Sequence, residues 1–331
     1  MYIIAEIAQA HDGSLGIAHS YIDALAGTGV QAVKFQTHIA DAESSIHEPF
    51  RVKFSYQDAT RFDYWKRMEF TSEQWAGIKL HCEEKGMEFI SSPFSCAAVD
   101  LLEKLGVKKY KIGSGEVSNL LMLEKIARTG KDMILSSGMS SLTELDTSIN
   151  FLKPFGNALS VLQCTTAYPT VAGQWGLGLI PVLKERYQLV TGFSDHSGDI
   201  YACLAATALG AEILEFHAVF DKNMFGPDAK ASLTIGQIKK LLQGVNEINT
   251  DLQTKNDKGT SGAFADLKKI FQKSLAVNKD LEAGHVISFD DLETKKPAGY
   301  GIDAGDFNSV IGKRLKQKKS AQDFLQLSDL E

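Results

Sequence analysis

The feature that most constrains the fold of this 331-residue chain is a series of short apolar runs that end in reactive residues. The runs recur along the first three quarters of the sequence, and in order they are IIAEIAQ (followed by His11), AVKFQ, EFISS, YKIGSGE, MILSSGM, SVLQCTT, LVTGFSDH and EILEFH. Eight strand-like segments with reactive residues at their C-terminal ends are typical of a (β/α)8 barrel, which builds its active site there. The pattern therefore predicts an α/β TIM barrel and favours an enzyme over a binding module.

The segments between these runs have apolar residues at the i, i+3 and i+4 spacing of amphipathic helices. The clearest predicted helices are 14–26, 71–85, 140–153 and 199–209. Ser14, Thr71 and Ser140 are the predicted N-caps of the first three. Glycines that end helices just before the next strand suit a left-handed C-cap, and they are Gly29, Gly86, Gly106, Gly130 and Gly210.

The C-terminal part of the chain differs from the barrel repeat. The polar, Gly/Ser-containing stretch 254–262 predicts a linker. Short strand-like pieces, SLAVN and HVISF, follow it and are too few for a large domain. The predicted domains are therefore a catalytic TIM barrel at 1–255, a linker at 256–272 and a small mixed module at 273–331.

The segment 38–70 interrupts the regular alternation, because it is long and rich in charged and aromatic residues. A loop of this length at the catalytic end of a barrel is usually a lid or a dimer contact. A packed excursion with no catalytic role is the alternative.

Composition excludes several classes of partner. The net charge of −6 argues against a nucleic-acid ligand, and no stretch approaches the roughly 18 apolar residues of a membrane helix. The four cysteines are widely spaced without a CxxC pair, which predicts reduced thiols. The N-terminus has no basic region or cleavage pattern of an export signal, so a cytoplasmic location is expected.

Two histidines stand at the ends of neighbouring predicted strands. Ser194 and His196 share a strand face, as do Glu215 and His217, because side chains two apart point the same way. Adjacent strands are about 4.8 Å apart, which places the two imidazoles side by side. Such a pair suits a divalent transition metal with open positions for water and substrate. Two satisfied core histidines are the alternative.

A glutamate stands inside the first apolar run. A carboxylate at a core position is rarely tolerated unless it is paired or used in chemistry, so Glu6 is a predicted acid or base, or orients a metal-bound water. An ion pair with Lys34 or Lys111 is the structural alternative. Glu116 lies just past a strand end, where a catalytic role and a plain loop position are about equally supported.

Cationic, hydroxyl and glycine groups gather at other strand ends. Lys34 and Gln36 share a face at the end of the second run, Lys111 precedes a GSG turn that contains Ser114, and Ser136 begins the SSG after the fifth run. Ammonium groups, hydroxyls and backbone amides together predict a site for phosphate or carboxylate. No Walker loop or dinucleotide-binding fingerprint is present.

The combined motifs resemble those of the sialic acid synthases, N-acetylneuraminate synthase and its bacterial nonulosonate-synthase relatives. They are IIAEIAQAHDGS, AVKFQT, FISSPFS, KIGSGE, ILSSGMSS, QCTTAYPT, GFSDHSG and HAVFDKNMFGPDAKASL. In the tail, SLAVNKDLEAGHVI, DDLETKKPAGYGI and VIGKRL resemble that family's C-terminal antifreeze-like (SAF) domain.

This resemblance implies condensation of phosphoenolpyruvate (PEP) with an open-chain N-acylated aminohexose, N-acetylmannosamine or a diacetamido analogue. The products would be a nine-carbon 2-keto sugar acid and phosphate, which leaves by C–O cleavage. The resemblance also implies a divalent metal, Mn2+ with Mg2+ or Co2+ as alternatives, and a domain-swapped homodimer in which one subunit's SAF module closes the other's site. Another metal-dependent barrel lyase, such as a pyruvate aldolase, and a non-catalytic sugar sensor are the alternatives.

The resemblance implies a role for each matching residue. The implied metal ligands are His196 and His217, and the predicted catalytic residues are Glu6, Lys34 and Glu116. The implied PEP-binding residues are Lys111, Ser114, Ser136 and Ser194. The implied sugar-binding residues are Gln36, Tyr168, Asp228 and Lys296.

Three departures from the family pattern concern the sugar side. The usual Asn-His-Asn-Gly after the first strand is AHDG here, with Asp12 in the third place. Lys296 stands where the SAF domain usually has arginine, and lysine cannot give arginine's bidentate contact. Thr166 stands where N-acetylneuraminate synthases often have asparagine. The sugar acceptor therefore stays open, with legionaminate-type and pseudaminate-type products as alternatives.

Overall fold

The computed structural model of the protein describes residues 1–254 and 262–331, which fall into two compact units divided after Thr254. In the first unit, eight parallel strands close into a barrel, because β1 pairs with both β2 and β8. The strands are β1 (Tyr2–Glu6), β2 (Ala32–Thr37), β3 (Glu88–Pro93), β4 (Lys109–Ile112), β5 (Asp132–Ser136), β6 (Leu159–Cys164), β7 (Val190–Asp195) and β8 (Ile213–Val219). A short strand, β9 (Leu233–Thr234), pairs with the end of β8. The predicted TIM barrel is confirmed.

The helices of this unit are α1 (Leu15–Leu25), α2 (Ala40–Glu43), α3 (Arg61–Met68), α4 (Ser72–Glu84), α5 (Cys96–Leu105), α6 (Leu120–Ala127), α7 (Leu142–Leu152), α8 (Leu179–Tyr187), α9 (Tyr201–Ala208) and α10 (Ile235–Gln253). Ser14 and Thr71 cap α1 and α4 as predicted. The predicted cap at Ser140 is wrong by one residue, since Ser141 caps α7. The reciprocal capping bonds require the serine to lie three residues before the glutamate, and Ser141 has that spacing to Glu144.

The barrel interior changes from apolar to polar along the strands. Near the N-terminal ends the inward side chains form an apolar layer of Ile4, Ala32, Ile90, Ile134, Leu162 and Ile213. Two residues further along the same strands, on the same face, stand Glu6, Lys34, Ser92, Ser136, Cys164 and Glu215. The outward side chains of the strands pack against the helices in the main apolar core. The fold thus places a polar layer on top of an apolar base.

The second unit has its own small core and a two-stranded antiparallel sheet. Its described elements include α11 (Ala265–Phe271), β10 (Ser274–Val277) and β11 (Leu292–Lys295). Residues 256–261 of the predicted linker lie outside the described residues, and a 3-10 turn (Gly262–Phe264) and α11 occupy most of the remainder. In the parts of the chain that the structure describes, no helix has the length and apolar character needed to cross a membrane.

Candidate active site

The register of the barrel strands brings the polar layer together. Glu6 lies opposite Lys34 of β2 and opposite His217 of β8, while Ser194 of β7 lies opposite Glu215 of β8. All five side chains are buried. Glu6 is the last residue of β1, whereas Lys34 and Glu215 are the third residues of β2 and β8. Residues up to 211 positions apart in the sequence therefore share one mouth of the barrel.

Four of the buried side chains form a charged network. Lys34 contacts the carboxylate of Glu6, and its Nζ lies 3.7 Å from Glu215 Oε2. Lys111 Nζ lies 3.2 Å from Glu215 Oε1. The ion pair that was the structural alternative for Glu6 is therefore present with Lys34, and the acid–base role of Glu6 stays a prediction.

Burial and neighbouring charges determine how these groups ionise. Burial lowers the pKa of Lys34 to about 7, although the Glu215 carboxylate partly offsets it. Burial alone would raise the pKa of Glu215, but the ammonium groups of Lys111 and Lys34 outweigh it and hold that pKa below its usual range. Glu215 is therefore a carboxylate that holds two ammonium groups in place.

Hydroxyl groups border this network. Lys111 Nζ donates a hydrogen bond to Ser136 Oγ at 2.6 Å, and Ser194 Oγ donates to Glu215 Oε1 at 2.9 Å. The backbone N–H of Gly138 donates to Ser114 Oγ at 3.0 Å. A Cβ at Gly138 would lie 2.7 Å from that same oxygen, so the close approach requires glycine. The predicted lysines and hydroxyls of the anion site are thus in the same region of the barrel mouth.

The two predicted metal ligands are neighbours. The ring centroids of His196 and His217 are 5.2 Å apart with an interplanar angle of 63°. Burial lowers the pKa of His196 to about 4 and also lowers the pKa of His217, where His196 and Lys34 add to the effect. His196 Nδ1 is 2.9 Å from the Thr165 carbonyl oxygen. Because a carbonyl oxygen can only accept a hydrogen bond, Nδ1 must carry the proton. The neutral ring then presents an unprotonated Nε2, 3.1 Å from the Tyr168 hydroxyl.

These two imidazoles have the chemistry that a divalent cation requires. Both rings are held neutral, and the carbonyl bond fixes the tautomer of His196, as outer-shell partners do for metal-ligating histidines. Among residues 1–254 and 262–331, no third His, Cys, Asp or Glu completes a group suited to a metal ion. A cation bound here would take its other ligands from water and substrate.

A cavity of about 450 Å3 opens over this layer. Six of the predicted residues line it: Gln36, Ser114, Glu116, Tyr168, His217 and Asp228. Burial raises the pKa of Glu116 and of Asp228, the latter against the opposing effect of Arg51. A second cavity, about 590 Å3, lies at the opposite end of the strands beside Tyr2, Lys109 and Asp132. It contains none of the predicted site residues.

The segment 38–70 contributes to the wall of the upper cavity. The lining residues from this segment are His38, Glu43, Glu48, Arg51, Arg61, Tyr64 and Trp65. It contains α2 and α3 and its own apolar cluster around Tyr64, Trp65 and Met68. The segment therefore borders the site, while its role as a lid or a dimer contact stays a prediction.

Comparison with known proteins assigns the chain to a family. Residues 21–257 match the NeuB family, and residues 272–331 match the SAF domain. The chain belongs to the NeuB family. The resemblance inferred from the motifs is therefore confirmed, together with the SAF domain at the C-terminus.

Several relatives of this NeuB-family chain are named as synthases of nine-carbon sugar acids. The N,N'-diacetyllegionaminic acid synthase of Campylobacter jejuni is 35% identical over 94% of both chains. The human N-acetylneuraminate-9-phosphate synthase is 30% identical over 95% of this chain and 88% of its own length. A crystal structure of the N-acetylneuraminic acid (sialic acid) synthetase from Leptospira borgpetersenii, in complex with citrate, superposes with a TM-score of 0.71 at 28% identity. That match covers 80% of this chain and 89% of that one.

Lys296 belongs to the second unit of this NeuB-family chain. Its ammonium group lies 4.9 Å from the centroid of the Phe271 ring, a cation–π contact. A role for Lys296 toward the sugar stays a prediction.

Sequence reasoning left out two groups of site residues. The sequence places Glu215 on the same strand face as His217 but predicts no role for it, although it pairs with both lysines. Its signal was present, because a glutamate inside an apolar strand needs the same explanation as Glu6. Arg51 and Arg61 had no comparable signal, since a charged residue in a long loop is usually solvated.

Proposed function

We propose that this chain condenses PEP with an N-acylated aminohexose to form a nine-carbon 2-keto sugar acid and phosphate. The observation that carries the proposal is the buried layer of two ammonium groups, two imidazoles and two carboxylates at one barrel mouth. Charges buried in this number are costly and are retained where chemistry uses them. The named activities of the relatives support the same reaction class.

The anion site would bind PEP through this chain's own cations and hydroxyls. Lys111 and Lys34 would supply charge to the phosphate and carboxylate, and Ser114, Ser136 and Ser194 would donate hydrogen bonds. Glu215 would keep both ammonium groups aimed at the same place. As PEP binds, its negative charge would replace part of the pairing that the carboxylates supply in the free protein.

Carbon–carbon bond formation would take place next to the imidazoles. His196 and His217 would hold the divalent cation, Mn2+ with Mg2+ or Co2+ as alternatives, which when bound would polarise the aldehyde oxygen of the sugar. C3 of PEP would attack the aldehyde carbon, the new alkoxide would take up a proton, and water would add at C2. Glu6 would transfer protons at these steps, and the C2–O bond to phosphate would then break.

The cavity above this layer would hold the sugar. Gln36, Tyr168, Asp228 and Glu116 would contact it, and Lys296 would contribute from an SAF module in a domain-swapped homodimer. The products after which the relatives are named include one with a phosphate group and one without. The acceptor's substituents are therefore the open part of the proposal.

A phosphate-release assay tests the reaction. The purified protein is incubated with PEP, Mn2+ and a panel of 2-acetamido and 2,4-diacetamido hexoses, with omission of each component as a control. Release that requires both sugar and metal is expected. Product formation from pyruvate without phosphate release would instead identify an aldolase.

The variant His217→Ala tests the metal assignment. We expect phosphate release to fall by at least about 100-fold and Mn2+ affinity to fall in parallel, because one of two protein ligands is removed. His19→Ala, in α1 outside the cavity lining, is the matched control and should behave like the parent. An unchanged Mn2+ affinity in His217→Ala would reject the assignment.

A further inference from the structure

Three side chains in the wall of the upper cavity form a hydrogen-bonded chain that leads to Gln36. They are Gln9 of the β1–α1 loop, and His38 and Glu43 of the segment that follows β2. Gln36 itself stands on β2 and has a proposed contact with the sugar. The three other side chains have no role in the reaction as described so far, and we call them the amide relay.

The carboxylate of Glu43 fixes a proton on the ring of His38. Glu43 Oε1 lies 2.6 Å from His38 Nδ1, and Glu43 Oε2 accepts from the backbone N–H of Ile39 at 3.3 Å. Because a carboxylate only accepts hydrogen bonds, Nδ1 carries a proton. The ring is also stacked against Trp65 and against Phe94, at centroid distances of 3.9 and 4.6 Å. Both the position of the ring and its protonation at Nδ1 are therefore fixed.

The other ring nitrogen of His38 lies against two amides. His38 Nε2 is 3.3 Å from Gln9 Nε2 and 3.2 Å from Gln36 Oε1, and Gln9 Nε2 also donates to Gln36 Oε1. A neutral ring accepts the second N–H of Gln9 at Nε2, and a doubly protonated ring donates from Nε2 to Gln36 Oε1. In both cases Gln36 Oε1 faces the relay, so Gln36 Nε2 faces away from it.

The amide nitrogen of Gln36 is thereby available to a ligand. Gln36 lines the cavity, and its Nε2 has no hydrogen-bond partner among the residues that the structure describes. An amide without neighbours could rotate by 180° and present its oxygen instead, because its two ends have nearly the same shape. With its oxygen engaged, Gln36 offers only N–H donors. The ligand atom that meets it must then be an acceptor, such as a hydroxyl, aldehyde or amide oxygen.

The backbone beside Gln9 is strained in a way that supports a functional placement. Ala8 has a φ of +46°, which residues other than glycine rarely adopt. It lies within a turn that is closed by a hydrogen bond of 2.9 Å from the Ala10 N–H to the Ile7 carbonyl oxygen. Strained backbone of this kind is concentrated at functional sites, where the surrounding structure holds it in place. Here the turn places the Gln9 side chain in the wall of the cavity.

We infer that Gln9, His38 and Glu43 are positioning residues that hold Gln36 with its N–H groups toward the sugar. None of the three has to touch the reacting atoms, because each acts through the next side chain in the relay. The inference rests on the proposed function and deepens it, since it adds three residues to the site and makes Gln36 a hydrogen-bond donor.

A double-mutant cycle between Gln9 and Gln36 tests the inference. Gln9→Met keeps the length of the side chain but removes the donor, and Gln36→Met removes the amide that the relay orients. The sugar is the one that gives the fastest phosphate release in the acceptor panel. We expect Gln9→Met to raise KM for this sugar roughly three- to tenfold, the loss of about one hydrogen bond, with kcat and KM for PEP within about twofold of the parent. In the Gln36→Met background, the same substitution should change KM for the sugar by less than about twofold.

The variant His38→Phe tests the next member of the relay. It keeps a flat ring beside Trp65 and Phe94 but removes both ring nitrogens. KM for the sugar should rise here as well, and the rise should again be lost in the Gln36→Met background. A rise that persists in that background would mean that His38 acts through packing alone and would overturn its assignment.

Gln31→Met is the matched control. Gln31 precedes the same strand as Gln36 but lies at its other end, outside the cavity lining, where its amide bonds the Ile3 N–H and the Gly29 carbonyl oxygen. The control loses a comparable set of hydrogen bonds and should leave KM for both substrates unchanged. An equal rise in KM for the sugar in Gln31→Met and Gln9→Met would reduce the effect to stability and contradict the relay.

Equilibrium binding separates the relay from the reaction. The dissociation constants of the panel sugars are measured by calorimetry for the parent and the variants of the cycle, with inorganic phosphate present to occupy the anion site. Non-additive losses of affinity without phosphate release from PEP with any sugar would reject the proposed reaction and support the relay. Phosphate release with fully additive losses would overturn the relay alone, since Gln9 would then act independently of Gln36. Absence of binding of every sugar would overturn both.

Discussion

Individual residues at the barrel mouth are held in place by opposite charges that a ligand must partly replace. Glu215 pairs with Lys34 and Lys111, and Lys34 also contacts Glu6, so the four buried charges sum to zero while Lys34, whose pKa is about 7, is protonated. An anionic ligand would add negative charge to a neutral cluster. Its binding would be favourable only because the two ammonium groups lie close enough together to contact the same anion. The carboxylates therefore compensate ammonium groups that would be costly to bury alone, and the same ammonium groups would form the predicted anion site.

The variant Glu215→Gln separates these two contributions. Removal of this carboxylate leaves two buried ammonium groups undercompensated, so we expect a loss of roughly 3–5 kcal/mol in the free energy of unfolding. Addition of inorganic phosphate should raise the melting temperature of the variant more than that of the parent, because the anion restores the missing partner. Thermal unfolding with and without phosphate measures both effects. Glu212→Gln removes an exposed partner of Lys184 and is the control; an equal loss in both variants would contradict the buried network.

The raised pKa of Glu116 predicts a pH dependence on the sugar side. Burial favours the neutral acid, so Glu116 takes up a proton at a higher pH than an ordinary glutamate, whose pKa is about 4.3. A protonated carboxyl loses acceptor capacity, and we therefore expect KM for the sugar to rise as the pH falls through that raised pKa. KM for PEP serves as the internal comparison. In Glu116→Gln, which can keep the bond from Asn119 Nδ2, this acid limb should disappear; its persistence would assign it to another group, with Asp228 as the next candidate.

Among the elements, the segment 38–70 contacts the β1–α1 loop through Arg67, in addition to contacts of His38 with Gln9 and of Phe70 with His11. Arg67 of α3 forms a two-point ion pair with the Asp58 carboxylate. Its Nη1 also donates to Asp12, to the side-chain Oδ1 at 2.7 Å and to the backbone carbonyl oxygen at 3.0 Å. Asp12 is one of the departures from the family pattern, and here its carboxylate accepts from a cation. Gly13 is closely packed against the same helix, since a Cβ there would lie 2.3 Å from the Arg67 carbonyl oxygen.

Removal of this arginine should loosen the wall of the upper cavity. For Arg67→Ala we expect a loss of about 1–2 kcal/mol in stability, from charge-assisted hydrogen bonds that are partly exposed. KM for the sugar should rise severalfold with kcat much less affected, because α3 positions Trp65 and the segment behind it. Arg186→Ala, which removes a two-point pair with Asp146 on the outer surface, is the matched control. A similar KM change in the control would mean that Arg67 acts only through global stability.

The elements could be predicted from the sequence to different extents. The strands and the capped helices followed from periodicity and local hydrogen-bond chemistry, and the one-residue error at Ser140 arose where two serines precede a glutamate. His196 and His217 could be paired in advance, because strand spacing alone places them together. The contributions of Arg51, Arg61 and Glu48 could not, because they depend on how a long loop without periodicity packs over the barrel.

For the whole molecule, the apolar base and the polar layer above it explain why the barrel carries the site. The closed sheet needs a packed interior, and the apolar layer around Ile4 and Ile213 supplies it. The layer two residues further along the strands is then free to hold charged groups that would be too costly in the base. The sequence therefore indicated both the fold and the position of the site through the same strands.

The second unit is stabilised by a separate apolar cluster and should respond to mutation separately. Leu275, Val277, Val310 and Leu325 are almost fully buried in that cluster, and a core in a unit of this size rarely supplies more than about 3–5 kcal/mol. Leu325→Ala should cost roughly 2–5 kcal/mol, so we expect it to unfold most of this unit while the barrel keeps its own melting transition in calorimetry. Leu327→Ala, at a residue that is 68% exposed, is the control and should leave both transitions unchanged. If the melting temperature of the barrel fell together with that of the small unit, the two units would unfold as one cooperative structure. A cavity in one of two independent cores would not lower the stability of the other.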